Sequence, residues 1–304
     1  MILSVVSLAL LLHAGPMKSD PDDLEAVFKN LQLAETTKDA VEVKRLSVQA
    51  YKLAQEIVLA PAPADATDKE YWPKRVAWAH EIEVHAEYAL YATSLGAAPA
   101  TTIDLLATLE AANPKSKYLD NAYGTYFVAL NKAGAAAKIP AVAEKAVAHF
   151  PDNEDLLMVL ADTAMNQKQS DRALNYANRL LAVLPRHAVP EGIPAAEWER
   201  KRGASLTRAH WIAGVIYAEK NNFFAADKDL RAALSSLQGN PTMLAPALFY
   251  LGLSNYQLGK TYMRKAQVLE AVKFSQQAAA IPGPLSQQAW KNAMIMKTEA
   301  DRMR

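Results

Sequence analysis

The sequence predicts an all-α fold, a solenoid of antiparallel helix pairs closed by a C-terminal capping helix, and three observations carry that expectation. Ala and Leu are abundant while Gly (11 of 304 residues) and the β-branched and aromatic clusters of strands are sparse, a composition that favours helix. Amphipathic stretches repeatedly run up to a proline, which cannot continue a helix: Pro114, Pro151, Pro185, Pro241 and Pro282. Two of the intervals between those prolines, 151 to 185 and 114 to 151, are 34 and 37 residues, within the range of helix-pair repeats.

Before the repeats, residues 2–12 (ILSVVSLALLL) form an apolar run, followed by Ala14, Gly15 and Pro16. That run has the length of a signal-peptide core and is too short to span a bilayer, which needs roughly 20 residues. The expectation is a signal peptide over 1–15, a flexible neck over 16–23, and export to the periplasm or the medium. Retention of the segment as a short membrane anchor is the alternative. No later apolar stretch reaches spanning length, so no membrane span is expected in the mature chain.

The array itself is expected over 118–282, preceded by degenerate helix pairs over 24–112. The longer interval from Pro185 to Pro241 contains RHAVPEGIPAAEWERKRGAS, read as a long loop inserted at 186–205 with a short helix around 195–202. A second surplus near GKTYMRK, 259–265, is expected to lengthen a turn or the start of a helix, with Gly259 in the left-handed conformation ending the helix before it. The last segment, 285–303, carries Trp290, Met294 and Ile295 on one side and polar residues on the other. It reads as the cap that such arrays require.

The best units are EDLLMVLADTAMNQKQSDRALNYANRLLAVLP, 154–185, and TRAHWIAGVIYAEKNNFFAADKDLRAALSSL, 207–237, with LAPALFYLGLSNYQLGK, 244–260, as a further first helix. Leu157, Leu160 and Ala161, then Ala173, Ala177 and Leu180, give the large-then-small order of two helices that pack closely. Ala213, Gly214 and Tyr217, with Ala226 and Ala233, repeat it, as do Leu251, Gly252 and Tyr256. In this the chain resembles the tetratricopeptide repeat family. The resemblance implies a right-handed superhelix whose first helices line a concave groove that binds a protein or peptide. Carried over by register, it implicates Asn121, Asn131, Asp155, Asp162, Asn166, Arg208, Trp211, Phe249 and Tyr256 as groove residues.

Chemistry is poorly represented. With 33 basic and 32 acidic residues, the chain has no net field to draw it to nucleic acid. It has no cysteine, which removes thiol catalysis, disulfides and cysteine-ligated zinc. HEIEVH, 80–85, resembles a zinc-protease motif, but His80 and His85 are five residues apart, about 140° around a helix, and cannot face one ion. His80, Glu83 and Glu87 do share a face; the simpler reading is a charged outer face of a long helix. WERKRGASLTR, 198–208, is either a basic, aromatic docking patch or a solvated turn whose Trp198 packs on the next repeat. No enzyme, cofactor or metal is expected. The function expected is a non-catalytic scaffold of the cell envelope that binds a protein segment, with self-association through the aromatic stretch from Tyr71 to Ala97 as the alternative and a metal-dependent hydrolase the remotest reading.

Overall fold

In a computed structural model the protein is described over residues 21–189 and 194–303. These form thirteen α-helices and three short 3₁₀ turns, with no strand among the described residues. The signal-peptide stretch and most of the neck lie outside them. The first helix opens at Pro21, so the last neck positions are helical. The chain divides into two compact units, one through Ala129 and one from Leu130.

The first unit holds α1 (Pro21–Thr37), α2 (Ala40–Leu59), α3 (Ala66–Ser94), α4 (Pro99–Ala112) and the first part of α5 (Lys117–Lys132). Asp39 and Asp65 cap α2 and α3, each carboxylate accepting from two backbone N–H groups that would otherwise be left without partners. From α1 to α4 each helix packs on the next in sequence, and α2 also meets α4. The core follows the helical period: Leu24 and Leu31 on α1, Val43, Leu46, Ala50 and Ala54 on α2, and Ala79, Ile82 and Ala86 on α3 are buried.

The second unit continues with α6 (Ile139–Ala146), α7 (Glu154–Asn166), α8 (Ser170–Val183), α9 (Ala195–Glu219), α10 (Phe223–Leu234), α11 (Pro241–Thr261), α12 (Lys265–Ala280) and α13 (Ser286–Arg302). Again every helix packs on its successor. In addition α7 touches α9, α9 touches α11 and α11 touches α13, so the first helices of successive pairs lie side by side. The residues that define the repeat pattern are where the period needs them: Leu157, Leu160, Ala161, Ala173, Ala177 and Leu180 are all buried, as are Ala213, Ala226, Ala233 and Leu251.

One turn recurs. Lys38, Gly134, Lys168, Asn221 and Met263 each have φ between 55° and 72°, and each is the second-to-last residue before the next helix or 3₁₀ turn begins. The following residue donates its backbone N–H to the carbonyl five residues back: Asp39 to Ala34, Ala135 to Leu130, Gln169 to Ala164, Asn222 to Tyr217 and Arg264 to Gly259, at 2.7–3.1 Å. This is the Schellman closure of a helix end. The interval from Gly134 to Lys168 is 34 residues, the period seen in the sequence.

Four local expectations change. Gly259 is not the left-handed residue; it sits inside α11, and Met263 takes that conformation. The surplus expected around 259–265 is not in the turn either, because α11 has 21 residues against 13 for α7 and the turn after it is the common one. The insertion at 186–205 is only partly loop, since α9 begins at Ala195 and runs unbroken for 25 residues into the repeat. In α13 the buried residues are Ala289, Ala293, Met296 and Ala300, whereas Trp290, Met294 and Ile295 are 59%, 50% and 56% exposed. Small residues let α13 lie close to the helix beneath it; its large apolar groups face outward.

Candidate functional site

The groove residues expected from the repeat pattern fall largely on α7, α9 and α11. Asn153 caps α7, its side chain accepting from the Leu156 N–H at 3.0 Å. Glu154 and Asp155 follow in the first turn, where the helix dipole favours acids. Both acids meet one cation: Lys201 Nζ lies 2.7 Å from Asp155 Oδ2 and 3.2 Å from Glu154 Oε1, and His187 Nδ1 stands 3.2 Å from Glu154 Oε2. Burial lowers the Lys201 pKa, but Asp155 and then Glu154 overcome it, leaving the ammonium above its ordinary value.

Seven residues further along each helix the arrangement repeats. Arg208 pairs with Asp162 at 2.7 Å, and the sequence separation, 46, equals that of Lys201 and Asp155. Equal offsets two helical turns apart require α7 and α9 to run parallel. At the next seam nearly equal offsets, 32 and 31, again set the helices parallel: Trp211 Nε1 donates to the Met243 carbonyl at 2.8 Å and Tyr250 Oη donates to Glu219 at 3.0 Å. Parallel first helices are the geometry of stacked pairs, each second helix returning the chain to its starting end.

Of the nine residues implicated, this face brings together Asp155, Asp162, Arg208 and Trp211, and it commits them to one another. The Arg208 guanidinium lies 4.7 Å from the centre of the Trp211 ring, and Trp211 is 9% exposed. Phe249 is half-buried against the core and meets Tyr250 edge-on at 5.4 Å. Tyr256 accepts from Lys260 Nζ at 3.3 Å, beside Glu299 of α13. Asn166 is exposed at the end of α7; Asn121 and Asn131, also exposed, lie on α5, one in each unit.

Other members of this face were signalled only in part or not at all. Lys201 stands in the basic stretch and in the short helix expected around 195–202, but its register against α7 requires that helix to be continuous with the rest of α9. Glu219 and Tyr250 are neither aligned by a motif nor spaced by a period; only the docking of α11 on α9 joins them. Burial, and then Glu219, push the Tyr250 phenol up to about 12. Trp198, on the basic stretch, is 1% exposed, with Lys201 Nζ 5.6 Å from its ring centre. It packs into the core of the second unit and presents no ring for docking.

The two histidines of HEIEVH part company as their spacing demands. His80 Nδ1 meets Glu83 at 2.8 Å within α3, and His85 Nε2 meets Glu35 of α1 at 2.9 Å with its ring edge-on to Phe28. No group of three or more metal-ligating side chains converges among the described residues, and no described helix is long and apolar enough to cross a membrane. Among known proteins, no family model matches this chain and no curated protein matches its sequence.

Proposed function

We propose that this protein is an exported, non-catalytic scaffold of the tetratricopeptide type, which binds a segment of another protein along the first helices of its second unit. The observation that carries the reading is the matched pair of bridges, Lys201 to Asp155 and Arg208 to Asp162, at one common offset. They lock α7 and α9 into a parallel, ordered face. A rigid face loses little entropy when an extended segment binds it. The half-exposed Arg208 and Asp162, the open Asn166 and the partly exposed Phe249 and Tyr250 offer that segment both polar and aromatic contacts.

The test is a photo-crosslinking amino acid placed at Asn166 in the source cell, with the exposed Lys228 of α10 as the comparison position. Expected is one crosslinked protein from position 166 and none from 228. Identical patterns at both positions, or none at either, would remove the proposal. Export rests on residues 2–12, and fractionation that leaves the protein in the cytosol would remove that part alone.

Self-association is a second reading, favoured by the outward Trp290, Met294 and Ile295 of α13. In the stretch from Tyr71 to Ala97, Trp72 and Trp78 pack against the core and Tyr91 stacks on Tyr118 at 5.7 Å, while Tyr71 and Tyr88 stay 57% and 45% exposed and support the same reading. Light scattering that gives a strict monomer at high concentration would eliminate it.

A further inference from the structure

The largest unmet chemistry lies in the first unit, away from the face just described. A cleft of about 510 Å³ opens between α2, the α3 face that carries His80, Glu83 and Glu87, and the 113–117 segment that leads into α5. That volume is within the range of small-ligand sites.

Three features of the cleft are unbalanced as it stands. Glu83 and Glu87 are one helical turn apart, a spacing at which like charges repel. Glu83 has His80 beside it, but Glu87, 7% exposed, is met by a neutral group, the Asn113 amide at 2.7 Å. That amide leaves the buried carboxylate without a cationic partner among the described residues. On the rim the reverse holds: Lys115 makes no ion pair among the described residues, and Lys117 has only the face of Tyr118, 5.0 Å away. Between them, aliphatic surface stays wet, with Leu59 80% and Val84 45% exposed. The two carboxylates are also felt by Tyr51 across the cleft, whose phenol is raised by burial and then by Glu87 and Glu83.

We propose that this cleft binds a small aliphatic zwitterion, a free amino acid or a short peptide. Its ammonium group sits between Glu83 and Glu87, its carboxylate faces Lys115 and Lys117, and its side chain covers Val58, Leu59 and Val84. One ligand class thereby supplies the missing cation, the missing anion and the missing apolar cover. The two carboxylates and one imidazole do not converge as a three-ligand metal site, and a plain anion would be repelled by Glu87. This site is independent of the protein-binding face and stands or falls separately.

The experiment is calorimetric titration of the full chain with L-leucine and with L-leucyl-L-leucine, with N-acetyl-leucine and isoamylamine as probes that lack the ammonium or the carboxylate. The expected result is a dissociation constant of about 1 mM or tighter for at least one zwitterion, and at least tenfold weaker binding of both truncated probes. Binding of leucine alone identifies a free amino acid as the ligand, and binding of the dipeptide alone identifies a peptide. Glu83→Gln, and separately Lys115→Ala with Lys117→Ala, should each weaken binding at least tenfold; the lysines are exposed, so that double variant keeps the fold. No heat from either zwitterion at millimolar concentration overturns the proposal. So does N-acetyl-leucine binding as well as leucine, or a folded double variant that binds like the parent.

Discussion

Lys201 and Asp155 are joined at 2.7 Å across the first helices of successive pairs, and Glu154 shares the same ammonium at 3.2 Å. Lys201→Met keeps most of the aliphatic stem and removes only the charge. Because the Lys201 side chain is 35% exposed, solvent screening limits its worth, and a loss of about 1 kcal/mol is expected. The pH dependence has a definite sign. The native pKa lies above 10.5, so the contribution is complete below the unfolded value and disappears as pH rises through the native one. Chemical denaturation of both proteins should show a constant gap from neutral pH to about pH 10 that narrows above it.

Gly259 predicts a sharper loss. A Cβ there would stand 2.7 Å from Val268 Cγ2, 2.9 Å from Val268 N and 3.2 Å from the Arg264 carbonyl. Two of those neighbours are backbone and cannot swing aside. Gly259→Ala should destabilise by about 2–3 kcal/mol. Gly203, in the exposed part of α9, has nothing within 4 Å of the same position, so Gly203→Ala should stabilise by about 0.5–1 kcal/mol. Thermal melts of the two variants should move in opposite directions.

Met263 holds φ at 55° where the equivalent turn after α5 uses Gly134 at 72°. A side chain in that region is strained, and glycine is the residue most often found there. Met263→Gly should therefore raise stability by about 0.5 kcal/mol, the relief of strain exceeding the added freedom of the unfolded chain. The Arg264 to Gly259 hydrogen bond, 2.7 Å, should remain, which amide exchange at Arg264 would register.

Tyr250 governs part of the alkaline limit. With the native phenol pushed up to about 12 and the unfolded one near 10, the unfolded chain releases its proton first as pH rises. Stability should fall from about pH 10 upward on this account. Tyr250→Phe removes the ionisation, at the expense of the bond to Glu219, and should flatten the decline between pH 10 and 12 in denaturant titrations.

Much of the repeat core was legible because burial follows helical period: Leu157, Ala161, Ala173 and Ala177 are recognisable from spacing alone. The turns were not, because of the five left-handed positions that share the recurring closure three carry Lys38, Lys168 and Asn221, and a fourth carries Met263. Asn is a known occupant of that position, but Lys and Met are not, and there the closure of the helix end imposes the conformation. Trp290 and Met294 misled in the other direction. Hydrophobicity marks which side of a helix is apolar, but on α13 the close approach is made through alanines, and close approach decides which side is buried. The face of the second unit was half legible: Asp155, Asp162 and Arg208 follow from register, while Lys201 depends on α9 extending back through a proline-rich stretch.

The recurring closure of each pair has a kinetic consequence. When a helix end is finished by its own chain and the main seams join helices one or two apart in sequence, few contacts have to wait for distant segments to meet, and folding of such chains is fast for their size. The same economy makes release local. α13 rests chiefly on α12 and also on α11, so it can detach without opening α7 or α8, and hydrogen exchange through the second unit should quicken toward its carboxyl end in steps of one helix at a time.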